Sequence, residues 1–522
     1  MLAELPQAIG LFASDFRLVG FVCLGVILGV FVGAVPGLTA TLAIALLLPF
    51  TFGMPALEAV VLMTGIFVGG IYGGSATAIM VRVPGAPANT MTMLDGYEML
   101  KQGKPEVALG LATAASVFGG LVGGVLLILF APQLARFSLQ FQSPEIFALV
   151  VLALVAVAAV SQESLVKGLI ATVMGLMIST VGIDLAGVPR YTFDTFRLYT
   201  GVPLIPLVIG LFALAEVLRR LEEPHSRPKQ VAWISFRKIF AFVPVWRQVG
   251  WKLPIKSSLI GAVIGALPGA GAAMAAFLAY AEAKRSSPHP EKFGTGIPEG
   301  IVAPESSNNA MTGGAFIPML AFGIPGDAVT AVILGALVIQ GIVPGPQLFA
   351  QAGDLVLPLM VGFIFAYLVL MIVGLVMLPW FARVAVIDHA VLFPIIAAVS
   401  VVAAFVSERS VFAMGTMVAI GIGAWLMQRY RFSLVPVLLG VILGPLLERN
   451  FRRALGISGG DPMILVSSWI AVILLVTAAF MAFYFAWVQP RQQRRAQQEQ
   501  EAARLEREAR ERQARETEGN TP

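Results

Sequence analysis

The chain has 522 residues, 58% of them hydrophobic and only 12% charged, and its mean hydropathy is +0.86. Charge at half the soluble-protein level of about 25% excludes a soluble globular protein and predicts an all-α polytopic membrane protein; long apolar runs, in place of alternating ten-residue segments, exclude an outer-membrane barrel. The net charge of +5 lies in Lys and Arg of loops and tails, where a positive-inside bias puts them, and so does not point to nucleic acid.

Up to Arg17 the chain is acidic, with no basic n-region and no small-residue cleavage site, so the first apolar run is expected to remain as a span. That span covers 18–35 and stops at Pro36-Gly37; Cys23 inside it is the only cysteine and reads as packing. A helix over 39–50 follows, then an apolar piece over 58–72. Gly73-Gly74-Ser75 is expected to open a short segment that stops at Pro84. Residues 91–103 read as an amphipathic interfacial helix, with Asp95, Glu98, Lys101 and Lys104 on or beside it. Spans over 107–131, 145–160, 164–181 and 203–218 complete a first unit, 1–218.

Residues 219–256 change character, with Arg219, Arg220, Arg227, Lys229, Arg237, Lys238, Arg247, Lys252 and Lys256 interleaved with Trp233, Trp246 and Trp251. They read as a cytoplasmic interfacial connector with Trp at headgroup depth. A second unit, 257–490, begins with a span broken at Pro268-Gly269 that reaches Lys284. An Asn-rich segment, Gly313-Gly314, a break at Pro325-Gly326 and a helix to Gln340 follow. Later spans lie near 354–379, 391–406, 411–427, 432–447 and 464–488. The tail, 491–522, is a charged cytoplasmic segment without an apolar face. The expected total is eleven or twelve spans, with broken helices or re-entrant hairpins.

The two units carry the same punctuation. Pro36 and Pro268 lie 232 residues apart, and Pro84 and Pro325 lie 241 apart, which predicts two duplicated repeats, read as inverted. Pro removes a backbone donor and Gly permits positive φ, so helices stop there. In hydrocarbon the freed peptide groups cost several kcal/mol each unless protein, water or a solute satisfies them. Matched broken helices in two halves are therefore the sequence signature of a transporter site.

Between Lys292 and Arg383 there is no Lys or Arg, but there are Glu299, Glu305, Asp327 and Asp354. Carboxylates with Ser, Thr and Asn oxygens and no cationic partner suit a bound cation. The candidate ion ligands are Glu305, Ser306, Asn308, Asn309 and Thr312, with Asp327 and the backbone of Gly323 and Gly326. Asp327 directly after Pro-Gly is equally a helix cap. Free N–H groups at Thr39 and at Gly269 and Gly271 suit carboxylates. Thr41, Ser75, Thr77, Asn89 and Thr90 add donors nearby, each also readable as a helix–helix hydrogen bond. Arg82, alone between Arg17 and Lys101, either clamps an anion bidentately or snorkels to the interface. His225, His289 and His389 have no metal-ligand spacing, and the catalytic motifs of nucleotide hydrolysis, serine hydrolysis and zinc proteolysis are absent.

The blocks GAVPGLTATLAIALLLPFTFGMP, IYGGSATAIMVRVPGAPANTMTMLDGYEMLKQGKPEVALG, ALPGAGAAMAAFLAYAEAK, FGTGIPEGIVAPESSNNAMTGGAFIPMLAFGIPGDAVTAVILGAL and GIVPGPQLF closely resemble the large permease subunit of tripartite tricarboxylate transporters. The resemblance covers nearly all of residues 1–490. It implies a multi-pass secondary transporter of the bacterial inner membrane, working with a small four-span membrane subunit and a periplasmic solute-binding protein. It further implies uptake of an organic carboxylate driven by an ion gradient, sodium above others, with no cofactor. A stand-alone carrier without a binding protein is the alternative.

Overall fold

The structure, a computed structural model, describes residues 4–160, 164–222, 238, 240–342, 344–345, 348–377, 379–381 and 389–488. The first half runs through α1 (Leu5–Ser14), α2 (Phe16–Gly33), α3 (Ala40–Leu47), α4 (Ala56–Val81), α5 (Thr90–Lys101), α6 (Pro105–Ser138), α7 (Ser143–Val160) and α8 (Leu165–Ser179). A two-residue hairpin, Gly182–Ile183 against Pro189–Arg190, leads to α9 (Leu204–Val208), a π turn (Ile209–Leu214) and α10 (Ala215–Glu222). The second half has α11 (Val243–Val249), α12 (Lys252–Gly265), α13 (Gly271–Ser286), α14 (Glu299–Phe322), α15 (Ala328–Ile339), α16 (Leu348–Gln351), α17 (Gly353–Val376), α18 (His389–Glu408), α19 (Val411–Arg429), α20 (Val435–Ile457) and α21 (Trp469–Phe483). The protein is an all-α polytopic membrane protein. Among the described residues seven helices are long and apolar enough to cross a bilayer, and five further apolar helices are shorter.

Lipid tails are as apolar as leucine, so buried helices associate through close backbone packing. The α2–α4 pair shows it plainly. Gly25, Gly29 and Gly33 of α2 lie against the backbone of Leu62, Ile66 and Gly70, while Gly65, Gly69 and Gly73 of α4 lie against Val22, Val26 and Val30. A Cβ on any of these six would fall under 3 Å from a backbone carbonyl oxygen. Gly73 is thus a packing residue, and α4 passes through Gly73-Gly74 as one 26-residue helix. The short segment expected to open there does not form.

The halves interlock. The first half's α6 packs along the second half's α14, and the second half's α17 packs along α4. Likewise α20 packs on α7 and α8, and α19 on the π turn. Helix α5 is not a free interfacial helix, because Thr92, Asp95, Gly96 and Met99 are buried. One oxygen of Asp95 accepts from the backbone N–H groups of Gly294, Gly296 and Ile297 at 2.9–3.0 Å, and its other oxygen accepts from Tyr280. That carboxylate ties the first half to the loop that precedes α14.

Residues 223–237 of the expected connector, with His225 and Trp233, and the tail 491–522 lie outside the described residues. The visible end of the connector begins α12 at Lys252 rather than near Ser257. There Trp246 and Trp251 form an edge-to-face pair at 5.8 Å, joined by Phe118.

Candidate functional site

Each Pro-Gly landmark ends one helix and starts another. Helix α2 stops at Gly33, Gly37 has φ +84°, and Thr39 caps α3 by accepting from Leu42 N–H at 3.3 Å. Helix α12 stops at Gly265, and Gly269 (φ +79°) and Gly271 (φ +65°) turn the chain into α13. At the later landmarks α4 ends on Arg82 and α14 ends on Gly323, both left-handed. The paired breaks touch within each half: a Cβ on Gly85 would fall 2.6 Å from Gly33 O at the end of α2, and Gly269 N–H donates to Gly326 O at 2.8 Å.

All four breaks meet around one cavity of about 720 Å³. Its wall includes Thr39, Ala40 and Thr41, then Ala86, Pro87 and Ala88, then the run from Gly269 to Met274, then Asp327, Ala328 and Val329. The starts of α3 and α13, where helix N–H groups lack intrahelical partners and the positive dipole ends lie, therefore form part of its wall. Of the sequence-derived candidates, Thr39, Thr41, Gly269, Gly271 and Asp327 line the cavity. Asp327 caps α15, its Oδ1 accepting from Thr330 N–H at 2.9 Å and from the Thr330 hydroxyl at 2.6 Å.

Other candidates sit one layer behind. Thr77 donates to the freed carbonyl of Ala34 at 2.6 Å. Asn89 accepts from Ala86 N–H at 3.1 Å and donates to Ile71 O and to Ser75 Oγ at 2.7 Å. Ser75 in turn donates to Glu305 Oε1 at 2.6 Å, and Thr92 donates to the same oxygen. Ser116 donates to Oε2 at 2.8 Å. A run of donors thus leads from the cavity wall at Ala86 to the fully buried carboxyl of Glu305, which α14 of the second half delivers into the first. Hydrogen bonds of this kind contribute about 0.5–1.5 kcal/mol each.

Glu305 shares α14 with Ser306, Asn308, Asn309 and Thr312, all fully buried. Asn309 donates to Glu305 O at 3.0 Å, and Thr312 bonds Asn309 O and the Tyr367 hydroxyl. Among the described residues, the Asn308 amide, at both Nδ2 and Oδ1, and the Ser306 hydroxyl have no hydrogen-bond partner. Buried amides without partners cost about 1–3 kcal/mol per group. Gly323 serves as the C-cap of α14. Gly326 is a close-contact point, where a Cβ would fall 2.3 Å from Gly265 O.

Two candidates lie apart. Arg82 is exposed, its guanidinium 5.4 Å from the Tyr97 ring centroid, and does not line the cavity. Thr90 opens α5 and is half-buried. Conversely, Lys167 of α8, Gln428 at the end of α19, and Arg431 and Phe432 in the α19–α20 turn line the cavity without having been singled out. Lys167 carried a signal, being the only Lys or Arg between Arg136 and Arg190. Thr92 and Ser116 carried none, because lone hydroxyls in spans are ordinary.

The model described as the "Tripartite tricarboxylate transporter TctA family" matches residues 19–439. An uncharacterized 52.8 kDa protein in the TAR-I ttuC' 3' region of Agrobacterium vitis is 37% identical over 460 residues, 86% of this chain and 89% of the relative. An uncharacterized protein in the TAR-II ttuC' 3' region of the same organism is 36% identical over 215 residues, 41% of this chain and 89% of the relative. No solved structure matches the chain.

Proposed function

The chain belongs to the tripartite tricarboxylate transporter TctA family, and from that premise we propose that it imports an organic carboxylate, coupled to a cation gradient, as the large subunit of a binding-protein-dependent system. In this proposal it resides in the bacterial inner membrane beside a small four-span subunit and receives cargo from a periplasmic solute-binding protein. The observation that carries the proposal is the convergence of both halves' helix breaks on one cavity. Broken helices of a transporter place N-terminal dipole ends at anionic groups and unwound carbonyls at coupling ions. The starts of α3 and α13, at Thr39 and Gly271, are the carboxylate-holding groups in this scheme. The unpartnered Asn308 amide and Ser306 hydroxyl beside Glu305 support a cation site on α14, and sodium is the ion proposed. The matched breaks of the two halves are read as the elements that move together between inward and outward exposure.

The test is uptake of labelled citrate and other carboxylates into vesicles carrying the full-length chain, with and without sodium, the small subunit and the cognate binding protein. The proposal expects uptake that needs all of them. Uptake that proceeds equally well without the binding protein would favour a stand-alone carrier, and uptake indifferent to sodium would remove sodium as the ion.

A further inference from the structure

We infer that Lys167 selects for solutes bearing a second carboxylate, an assignment that rests on the proposed carboxylate chemistry of the cavity. Lys167 stands in the first turn of α8 and lines the same cavity as the helix breaks, but from a different element. Its Nζ donates to Tyr430 O at 2.9 Å and lies 5.7 Å from the centroid of the Phe432 ring. Both partners belong to the α19–α20 turn and neither carries charge. No described carboxylate pairs with it.

An ammonium has three donors, and the Tyr430 carbonyl takes one. A lysine near a helix end ordinarily reaches out to the interface. This one is instead tied across to a turn on the cavity wall. The acidic residue among the described lining, Asp327, already spends Oδ1 on the cap of α15. Its neighbours on the wall include Val157, Phe212, Leu434 and Val435, with Arg431 as a further cation. With no described carboxylate bonded to it, the Lys167 ammonium keeps donors for an arriving anion.

The starts of α3 and α13 already offer peptide N–H groups to one carboxylate. A second cationic wall is redundant for a monocarboxylate and useful for a di- or tricarboxylate. The cavity, at about 720 Å³, lies in the range of roughly 300–1,000 Å³ typical of small-molecule sites and has room for a six-carbon tricarboxylate.

Uptake of labelled citrate into vesicles of the assembled system, competed by unlabelled propane-1,2,3-tricarboxylate and by butyrate, tests the assignment. In Lys167→Gln the KM for citrate should rise about tenfold or more and the tricarboxylate should lose competing power to match, while competition by butyrate shifts less than about twofold. Lys167→Arg, which keeps the charge, should retain the wild-type preference. A Lys167→Gln variant that weakens tricarboxylate and monocarboxylate by the same factor, or neither, would overturn the assignment. So would a Lys167→Arg variant that loses the preference. Wild-type vesicles that accept no carboxylate at all would overturn the carboxylate reading itself, and the role of Lys167 with it.

Discussion

Around the first pair of breaks, a Cβ on Gly85 would fall 2.6 Å from Gly33 O and 2.6 Å from Gly74 Cα. Around the second pair, a Cβ on Gly326 would fall 2.3 Å from Gly265 O and 2.7 Å from Ala315 Cα. The contact partners correspond: the end of the first helix, and a small residue in the last third of the long one. What hangs on this common plan differs. The long helix of the first pair, α4, offers the hydroxyls of Ser75 and Thr77; that of the second, α14, carries Glu305, Ser306, Asn308, Asn309 and Thr312. Backbone proximity of glycines builds both breaks, and the side chains around them make the two chemically different.

The largest effect is expected where backbone meets backbone. Gly85→Val and Gly326→Val each force the broken ends apart, and overpacking costs about 1–3 kcal/mol or more. Both should lose most uptake and most monodisperse protein in detergent size-exclusion chromatography. If only one pair proves intolerant, the breaks are not equivalent parts of one device.

Next comes the difference in decoration. Asn308→Ala should lower sodium-stimulated uptake by about tenfold or more while the protein still inserts, since charge–amide contacts to an ion exceed ordinary hydrogen bonds. Sodium stimulation left at the wild-type level in that variant would remove the ion assignment from α14.

A smaller change tests how Glu305 is held. Ser116→Ala deletes the Oε2 donor and should cost about 1–3 kcal/mol of stability, the penalty for a buried acceptor left without a partner. Thermal unfolding in detergent reads it, and an unshifted midpoint would mean that another group takes the place of the hydroxyl. Smallest of all is Arg82→Ala. It removes a surface cation–π contact of about 0.5–1 kcal/mol and should leave the KM for citrate within about twofold. A tenfold rise would bring Arg82 back as a ligand of the anion.

The breaks were legible because Pro-Gly inside an apolar run has few other meanings. The span limits near 145–160 and 411–427 were legible for the same reason, as turn residues bound apolar runs. Gly73-Gly74 was not. In sequence a glycine pair signals either a break or a close helix contact, and only the facing Val30 carbonyl and the Asn89 side chain reveal the contact. The burial of α5 was hidden as well, because Asp95 looks solvent-facing until the loop at Gly294 folds over it. Lys167 joins the cavity through long-range packing of α8 against the α19–α20 turn, which no local pattern encodes.

If breaks from both halves enclose the transported solute, that solute should protect engineered thiols on both. In a Cys23→Ser background, which removes the only native cysteine, Ala86→Cys and Ala272→Cys place one thiol on the wall from each half. Labelling by a small thiosulfonate reagent should be slowed at both positions by a transported carboxylate such as citrate, and at neither by a solute that is not transported. Protection at one position alone, or at neither, would contradict a shared site.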